Sequence, residues 1–256
     1  RSCSKVNLWN QNKERIFEAG KDEYALRSLH SILKSINYSK KSFNEINIKL
    51  SIIDDNSSEK FIQNMKKLLL KFDIDNEIIS LQNNEIDQDI KDSNFASIKK
   101  CFMLAKENSK DLIYFVEDDY IHHRDAIKEM IYTYERIASQ LNSELILCPT
   151  DYPYLYTKLE TTNIFLGANK HWRKVGESLC TFLTSKIIIE KYWKEFESMC
   201  KYEHYPFEQP LHNIYKSEYC LSPLPSLAIH LTNVNSIFGL SPNIDWGKNW
   251  EKNKNY

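Results

Sequence analysis

The stretch Asp111-Leu112-Ile113-Tyr114-Phe115-Val116-Glu117-Asp118-Asp119-Tyr120 sets an apolar run against an acidic triplet. The run has the length of a buried strand. Its carboxylates would emerge together at the C-terminal edge, where open α/β sheets bind their ligands. Packed carboxylates repel one another unless something positive sits between them. A hard divalent ion does this well, because Mg²⁺ and Mn²⁺ prefer oxygen ligands and keep coordination positions open for phosphates. The competing reading is a solvated loop that happens to be acidic, and the triplet alone does not separate the two.

Upstream of the triplet, strand-like and helix-like patterns alternate. Val6 to Leu8 reads as a short first strand, and the apolar residues from Tyr24 to Ile36 recur at helical spacing. Ile46, Ile48, Leu50 and Ile52 alternate and are joined by Ile53; this strand ends in Asp54-Asp55-Asn56-Ser57-Ser58. Asn56 with Glu59 three residues on reads as a helix start, leading into an amphipathic helix from Phe61 to Phe72. Glu77 to Leu81 is a third short strand, and Asp92 or Ser93 caps a helix through Phe95, Ile98, Phe102 and Ala105. The first 120 residues therefore read β-α-β-α-β-α-β, which predicts an α/β fold with a mostly parallel central sheet and helices on both faces. A helix from about Asp125 to Leu141 and a strand from Leu145 to Cys148 continue it.

After Thr150 the pattern breaks into the aromatic stretch Asp151-Tyr152-Pro153-Tyr154-Leu155-Tyr156. A strand near Thr181 to Leu183 and a helix from Ser185 to about Cys200 come next. The last forty residues read as irregular, with Trp246, Trp250 and Tyr256 in a polar tail. With no internal repeat and no linker, a single domain over residues 1–256 is expected. Residues 1–120 form its nucleotide-binding half, and residues 121–256 its acceptor-binding half and tail.

Composition narrows the function. The 256 residues carry a formal charge of −1 with no basic block, so a nucleic-acid polymer is not an expected partner. Six scattered cysteines form no C-x-x-C pair, which argues against a zinc ribbon or a thioredoxin-like centre. Several lie in apolar runs, where cysteine acts as a small hydrophobe. Together with the lack of a secretory h-region this points to a cytoplasmic location, although Arg1 in place of Met leaves room for a trimmed leader. No apolar stretch is long enough to span a membrane. Five glycines build neither a dinucleotide fingerprint nor a Walker A loop.

The two acidic clusters, Asp54-Asp55 and Glu117-Asp118-Asp119, end two different strands. In a parallel sheet both lie on one edge and can face one ligand, one cluster accepting from a base N–H or a ribose hydroxyl while the other holds a metal. A turn with a helix cap accounts for Asn56 or Ser57 but does not need both aspartates. With SIIDDNSS after an alternating strand and YFVEDDY roughly sixty residues later, the chain resembles the nucleotide-binding half of a family-2-like glycosyltransferase of GT-A fold. Those enzymes carry D-D-x-S at the second strand and a D-x-D type motif at the metal strand. The likeness covers about the first 120 residues. The first strand departs from it, with Arg1-Ser2-Cys3-Ser4-Lys5 where the family has a Pro-x-Tyr-Asn turn.

The resemblance implies a metal-dependent transfer of a sugar from a nucleotide-diphosphate sugar to the hydroxyl of a carbohydrate or glycolipid acceptor. The setting would be surface-polysaccharide or glycoconjugate synthesis, with peripheral association at the inner face of a membrane. Asp119 would bind Mn²⁺ or Mg²⁺, Glu117 or Asp118 would contact the ribose or support the ion, and Asp54 or Asp55 would hold the base. A late histidine often completes such sites, and His230 in Leu227-Ala228-Ile229-His230-Leu231 is the candidate; most lone histidines are structural. His122 and His123 are expected to point into the following helix or loop.

An inverting transfer needs a carboxylate at the acceptor hydroxyl. Glu208, in Pro206-Phe207-Glu208-Gln209-Pro210-Leu211, sits at a turn-helix start and is the candidate base, ahead of Glu203 and Glu177; a plain helix-start carboxylate is the alternative. In His171-Trp172-Arg173-Lys174, Trp172 could stack on a sugar and Arg173 could neutralise a diphosphate, against an ordinary surface loop. Lys99 and Lys100 could aim a cation at the site, although a helix face usually leaves lysine solvated. Two other classes compete. A nucleotidyltransferase on a related fold would need a Gly-rich phosphate loop, which is missing. A non-catalytic carbohydrate-binding subunit would not need both acidic clusters.

Overall fold

The computed structural model describes residues 1–4, 15–43, 45–81, 93–201, 203–232, 240–254 and 256. The expected first strand at Val6 to Leu8 and the cap at Asp92 lie outside them. The described residues form eight α-helices and ten strands in a mixed α/β arrangement. In chain order these open with α1 (Lys21–Lys40), β1 (Lys49–Asp54), α2 (Glu59–Leu69), β2 (Asp75–Ser80) and α3 (Ser93–Asn108). β3 (Leu112–Phe115), β4 (Tyr120–His122), α4 (Ala126–Leu141) and β5 (Leu145–Leu147) follow. The second half holds β6 (Ile164–Leu166), β7 (His171–Lys174), β8 (Phe182–Ser185), α5 (Lys186–Lys191), α6 (Trp193–Ser198) and α7 (Gln209–Ile214). It closes with β9 (Tyr219–Leu224), β10 (Ala228–His230) and α8 (Trp246–Lys252).

The largest sheet has six strands in the order β3-β8-β5-β9-β7-β6. Only β5 with β9 is parallel; β3 with β8, β8 with β5, β9 with β7 and β7 with β6 are antiparallel. The expectation of a mostly parallel sheet is therefore wrong. β8 enters between β3 and β5 against their direction, and a four-residue strand carries no sequence mark of its direction. β1 and β2 pair in parallel as a separate pair, and β4 and β10 pair antiparallel.

Helices on both faces are present, and strand alternation shows why. Ile52, Leu145, Leu147, Leu183 and Leu221 face one core with α1, α2 and α4. Their neighbours Ile53, Ile146, Cys148, Phe182 and Cys220 face the other, with α3, α5, α6 and α7. A strand turns successive side chains to opposite faces, so runs that are apolar throughout fill both layers. All six cysteines are free, and four of them are buried.

Two local expectations change. Ser58, not Asn56, caps α2, its hydroxyl accepting from Phe61 N–H at 3.3 Å, while Asn56 takes a left-handed φ of 51° in the turn before it. The expected helix from Ser185 to Cys200 is two short ones broken at Tyr192. The C-terminal part is more ordered than its composition suggests. Trp250 of α8 is buried, stacks on Phe17 with centroids 4.3 Å apart, and lies under the Arg27 guanidinium at 3.9 Å. With Tyr24, Ile121, Ile229 and Leu231 it forms a small core beneath β4 and β10. A seven-residue helix is too short to show a helical period in sequence. Trp250→Ala should lower unfolding free energy by about 3–5 kcal/mol, read from urea denaturation monitored by circular dichroism.

Candidate functional site

Asp54 and Asp55 end β1, and Glu117, Asp118 and Asp119 follow β3. The two ends lie together because Arg1 to Cys3 runs between them. Ser2 N–H donates to Ile53 O at 2.8 Å, and Asp55 N–H to Ser2 O at 2.9 Å. On the other side the Arg1 amino group donates to Val116 O at 3.0 Å and Cys3 N–H to Asp118 Oδ2 at 2.9 Å.

Each carboxylate meets a different partner. Asp54 Oδ2 accepts from Ser57 N–H at 3.1 Å, while its Oδ1 is buried with no hydrogen bond among the described residues. Burial pushes this carboxyl above the usual range, and Asp55 and Asp118 add repulsion. Asp55 Oδ2 accepts from the Ser93 hydroxyl at 2.7 Å. Glu117 pairs with the Arg1 guanidinium at 2.8 Å, and its N–H donates to Thr181 Oγ1 at 3.1 Å. Asp118 Oδ1 takes a proton donor from Lys21 at 3.0 Å. Arg1, Lys21 and Thr181 were not expected here from sequence. The first two reach their carboxylates across 116 and 97 residues, a separation that local pattern cannot read.

Asp119 and His230 come together. β10 pairs with β4 so that His230 stands opposite Tyr120, the residue after Asp119. The imidazole stacks on the Tyr120 ring at 4.7 Å and 19°, and its Nε2 lies 3.3 Å from Asp119 Oδ2. Thr232 donates its hydroxyl to the same oxygen. Burial works against ionisation of Asp119, but His230, Lys21 and the Thr232 hydrogen bond more than offset it and hold the carboxyl well below the ordinary range. Asp119 Oδ1 is buried and has no hydrogen-bond partner among the described residues.

A buried carboxylate oxygen without a donor suits a cation, and Mg²⁺ is usually held by one or two carboxylates together with phosphate oxygens. Asp119 and His230 fit such an ion as a pair. Among the described residues no group of three or more His, Cys, Asp or Glu side chains has the geometry to hold a metal.

Glu208 is the N-cap residue of α7 and is buried, with Phe207 packed edge-on against Phe95 at 5.7 Å. Burial pushes the Cys180 thiol up, and the charges of Glu117 and then Glu208 push it further. Glu203 is exposed and Glu177 half-buried, the latter 3.5 Å from Lys158. Lys99 and Lys100 are half-buried on α3.

Two readings of β7 fail. Trp172 is entirely buried in the core and offers no face to a sugar. Arg173 donates to Asp151 Oδ1 from Nε at 3.2 Å and from Nη2 at 2.8 Å, with its guanidinium 4.1 Å over the Tyr156 ring. Its charge is committed to a buried carboxylate rather than to the acidic cluster, because strand alternation aims it away from Trp172 and onto Asp151. His122 also has a structural setting: it is buried on β4 with Nε2 2.7 Å from the Tyr114 hydroxyl.

No protein-family model matches the chain, and no curated protein matches it at a significant level.

Burial pushes the His122 imidazole down to about 3. An unfolded histidine binds its proton near pH 6.5 while the folded one does not, so stability is full above that pH and falls as pH drops toward 3. His123 shifts the same way, again through burial, whereas Asp119, held low, loses its contribution as pH falls through the ordinary aspartate range and below, and Asp54, held high, works in the opposite direction. Urea titrations between pH 7 and pH 4.5 should therefore show stability falling with pH, and His122→Asn should flatten the slope by up to about 1.4 kcal/mol per pH unit. Equal slopes in the two proteins would remove His122 as the cause.

Proposed function

We propose that this protein is a metal-dependent glycosyltransferase that moves a sugar from a nucleotide-diphosphate sugar to an acceptor hydroxyl with inversion, on a GT-A-like arrangement of strands. The observation that carries it is the meeting of Asp54-Asp55, Glu117-Asp118-Asp119 and His230 where β1 and β3 end, with a buried oxygen of Asp119 that has no hydrogen-bond partner among the described residues. The parallel pair β1 and β2 and the Arg1–Cys3 stretch lying between β1 and the end of β3 support the strand arrangement.

In this proposal Asp119 and His230 hold Mn²⁺ or Mg²⁺, which when bound stabilises the charge building on the leaving diphosphate. Asp54 and Asp55 lie at the end of β1 to accept from the base or ribose. Asp55 is oriented by Ser93, and Glu117 and Asp118 are oriented by Arg1 and Lys21. Glu208, on the acceptor side, takes the proton of the attacking hydroxyl. Arg173 has no role in it. The pairing of Glu117 and Asp118 with protein cations favours a second reading, a non-catalytic subunit in which these ion pairs are structural.

Calorimetry separates the two. Uridine, guanosine and adenosine diphosphates should be titrated with Mn²⁺ and with EDTA. Binding of at least one of them only with Mn²⁺ is expected, and Asp119→Asn should weaken it by at least about tenfold, the loss of one charged contact. No metal-dependent binding across the set would leave the non-catalytic subunit. For catalysis, Glu208→Gln should lower turnover by about 10²–10⁴-fold while donor affinity is kept. Normal turnover in that variant, or a retained anomeric configuration in the product, would assign the chemistry elsewhere.

A further inference from the structure

Away from the acidic site, His30, Lys34 and Tyr38 follow one another at a spacing of one turn on a single face of α1. Each of them ties α1 to another element. His30 Nδ1 lies 3.3 Å from Asn253 O, and its ring meets the Phe72 ring edge-on at 6.0 Å. The Lys34 ammonium donates to Lys252 O at 3.2 Å and to Asn253 Oδ1 at 3.1 Å. The Tyr38 ring carries the Arg124 guanidinium at 4.6 Å and the Lys128 ammonium at 5.4 Å. The end of α2, the start of α4 and the end of α8 therefore meet along this face.

The face gathers Lys34, Lys71, Arg124, Lys128 and Lys252, and none of these forms an ion pair among the described residues. Neighbouring carboxylates are engaged elsewhere. Glu251 holds Arg27 and Lys254, and Asp73 holds Lys40. Asp125, at the start of α4, offsets one of the cations. Lys34 donates only to neutral oxygens, and burial, followed by the charges of Lys252 and Arg124, lowers its hold on the proton. Like charges gathered in this way repel one another. The whole chain is close to neutral, at −1, so the excess is local. Apolar side chains stand in water beside these cations. Leu70, next to Lys71, is 86% exposed, although Leu68 and Leu69 before it are buried. Tyr132, whose ring lies 5.9 Å from Lys128 Nζ, is 42% exposed. Lys66 and Lys67, one turn back along α2, are exposed as well.

We propose that this face docks on an anionic lipid bilayer, with its cations against the headgroup phosphates and Leu70 in the interface. Charge complementarity gives the sign of the partner. An anionic lipid surface strengthens binding by about fivefold for each Lys or Arg brought to it. The cations are spread over four elements rather than turned on one point, which fits an extended surface and not a single small anion. Leu70 decides between extended polyanions. A nucleic-acid backbone would use the cations and leave the leucine in water, whereas a bilayer interface takes up both. The face is separate from the acidic edge. Lys34 stands about 20 Å along α1 from Lys21, at about 1.5 Å per residue. The inference does not depend on the proposed transfer reaction.

Sedimentation with lipid vesicles tests it on the full chain. The protein should sediment with vesicles of phosphatidylglycerol and phosphatidylcholine and not with phosphatidylcholine alone, and high salt should release it. A variant carrying Lys34→Gln, Lys71→Gln, Arg124→Gln and Lys252→Gln should bind at least about a hundredfold more weakly, from losses of about fivefold at each position. Leu70→Ser alone should weaken binding by about tenfold. A control with as many charges removed on other faces, Lys158→Gln, Lys174→Gln, Lys186→Gln and Lys194→Gln, should stay within about threefold of the parent, because distant charges are screened. No binding to the anionic vesicles, or an equal loss in the two four-site variants, would overturn the proposal. Binding that ignores Leu70→Ser, or that a DNA or RNA oligonucleotide displaces at the same salt, would also overturn it and assign the face to a soluble polyanion. Should the first variant fail to fold, amide exchange in the unsubstituted chain decides. The anionic vesicles should slow exchange in residues 66–72 and 124–128, and protection confined to other segments would reject this face.

Discussion

Five carboxylates meet at the ends of β1 and β3, and much of the surrounding structure is arranged to make their proximity tolerable. Like charges a few ångströms apart in a partly buried setting repel strongly unless each finds a compensating partner. Here the partners come from far along the chain. Arg1 serves Glu117, Lys21 of α1 serves Asp118, and His230 with Thr232 serves Asp119. Where compensation is thinnest, at Asp54, burial and its neighbours push the carboxyl up.

That requirement links the site to the fold. α1 must bring Lys21 to the end of β3 while packing its apolar face on α2, α4 and β4. β10 must pair with β4 to bring His230 beside Asp119, and α8 supports that ribbon through Trp250. Change at these supports would reach the acidic edge without touching a carboxylate.

The alternation of residues 46–53, the run from Leu112 to Val116 and the acidic ends that follow them marked both clusters as strand ends. That the two ends lie side by side is owed to the Arg1–Cys3 stretch between them, because among the described residues β1 and β3 belong to different sheets. His230 was legible as a histidine closing a strand-like run. Glu208 was legible as a carboxylate at a helix start, the N-cap position it occupies. The roles drawn for Trp172 and Arg173 were not sound, because adjacent residues on a strand face opposite ways and a basic-aromatic string does not tell which way is out.

The sequence by itself determined the alternation of helices and strands in the first half, the two-sided apolar strands and the acidic strand ends, all of which follow from local periodicity and turn chemistry. Only the tertiary structure decided the antiparallel entry of β8, the compensation of Glu117 and Asp118 by Arg1 and Lys21, and the commitment of Arg173 to Asp151. Strand direction and ion pairing across 116 and 97 residues are properties of the assembled fold. They depend on which distant segments meet, and that is fixed by how the two apolar layers close rather than by any residue's neighbours in the chain.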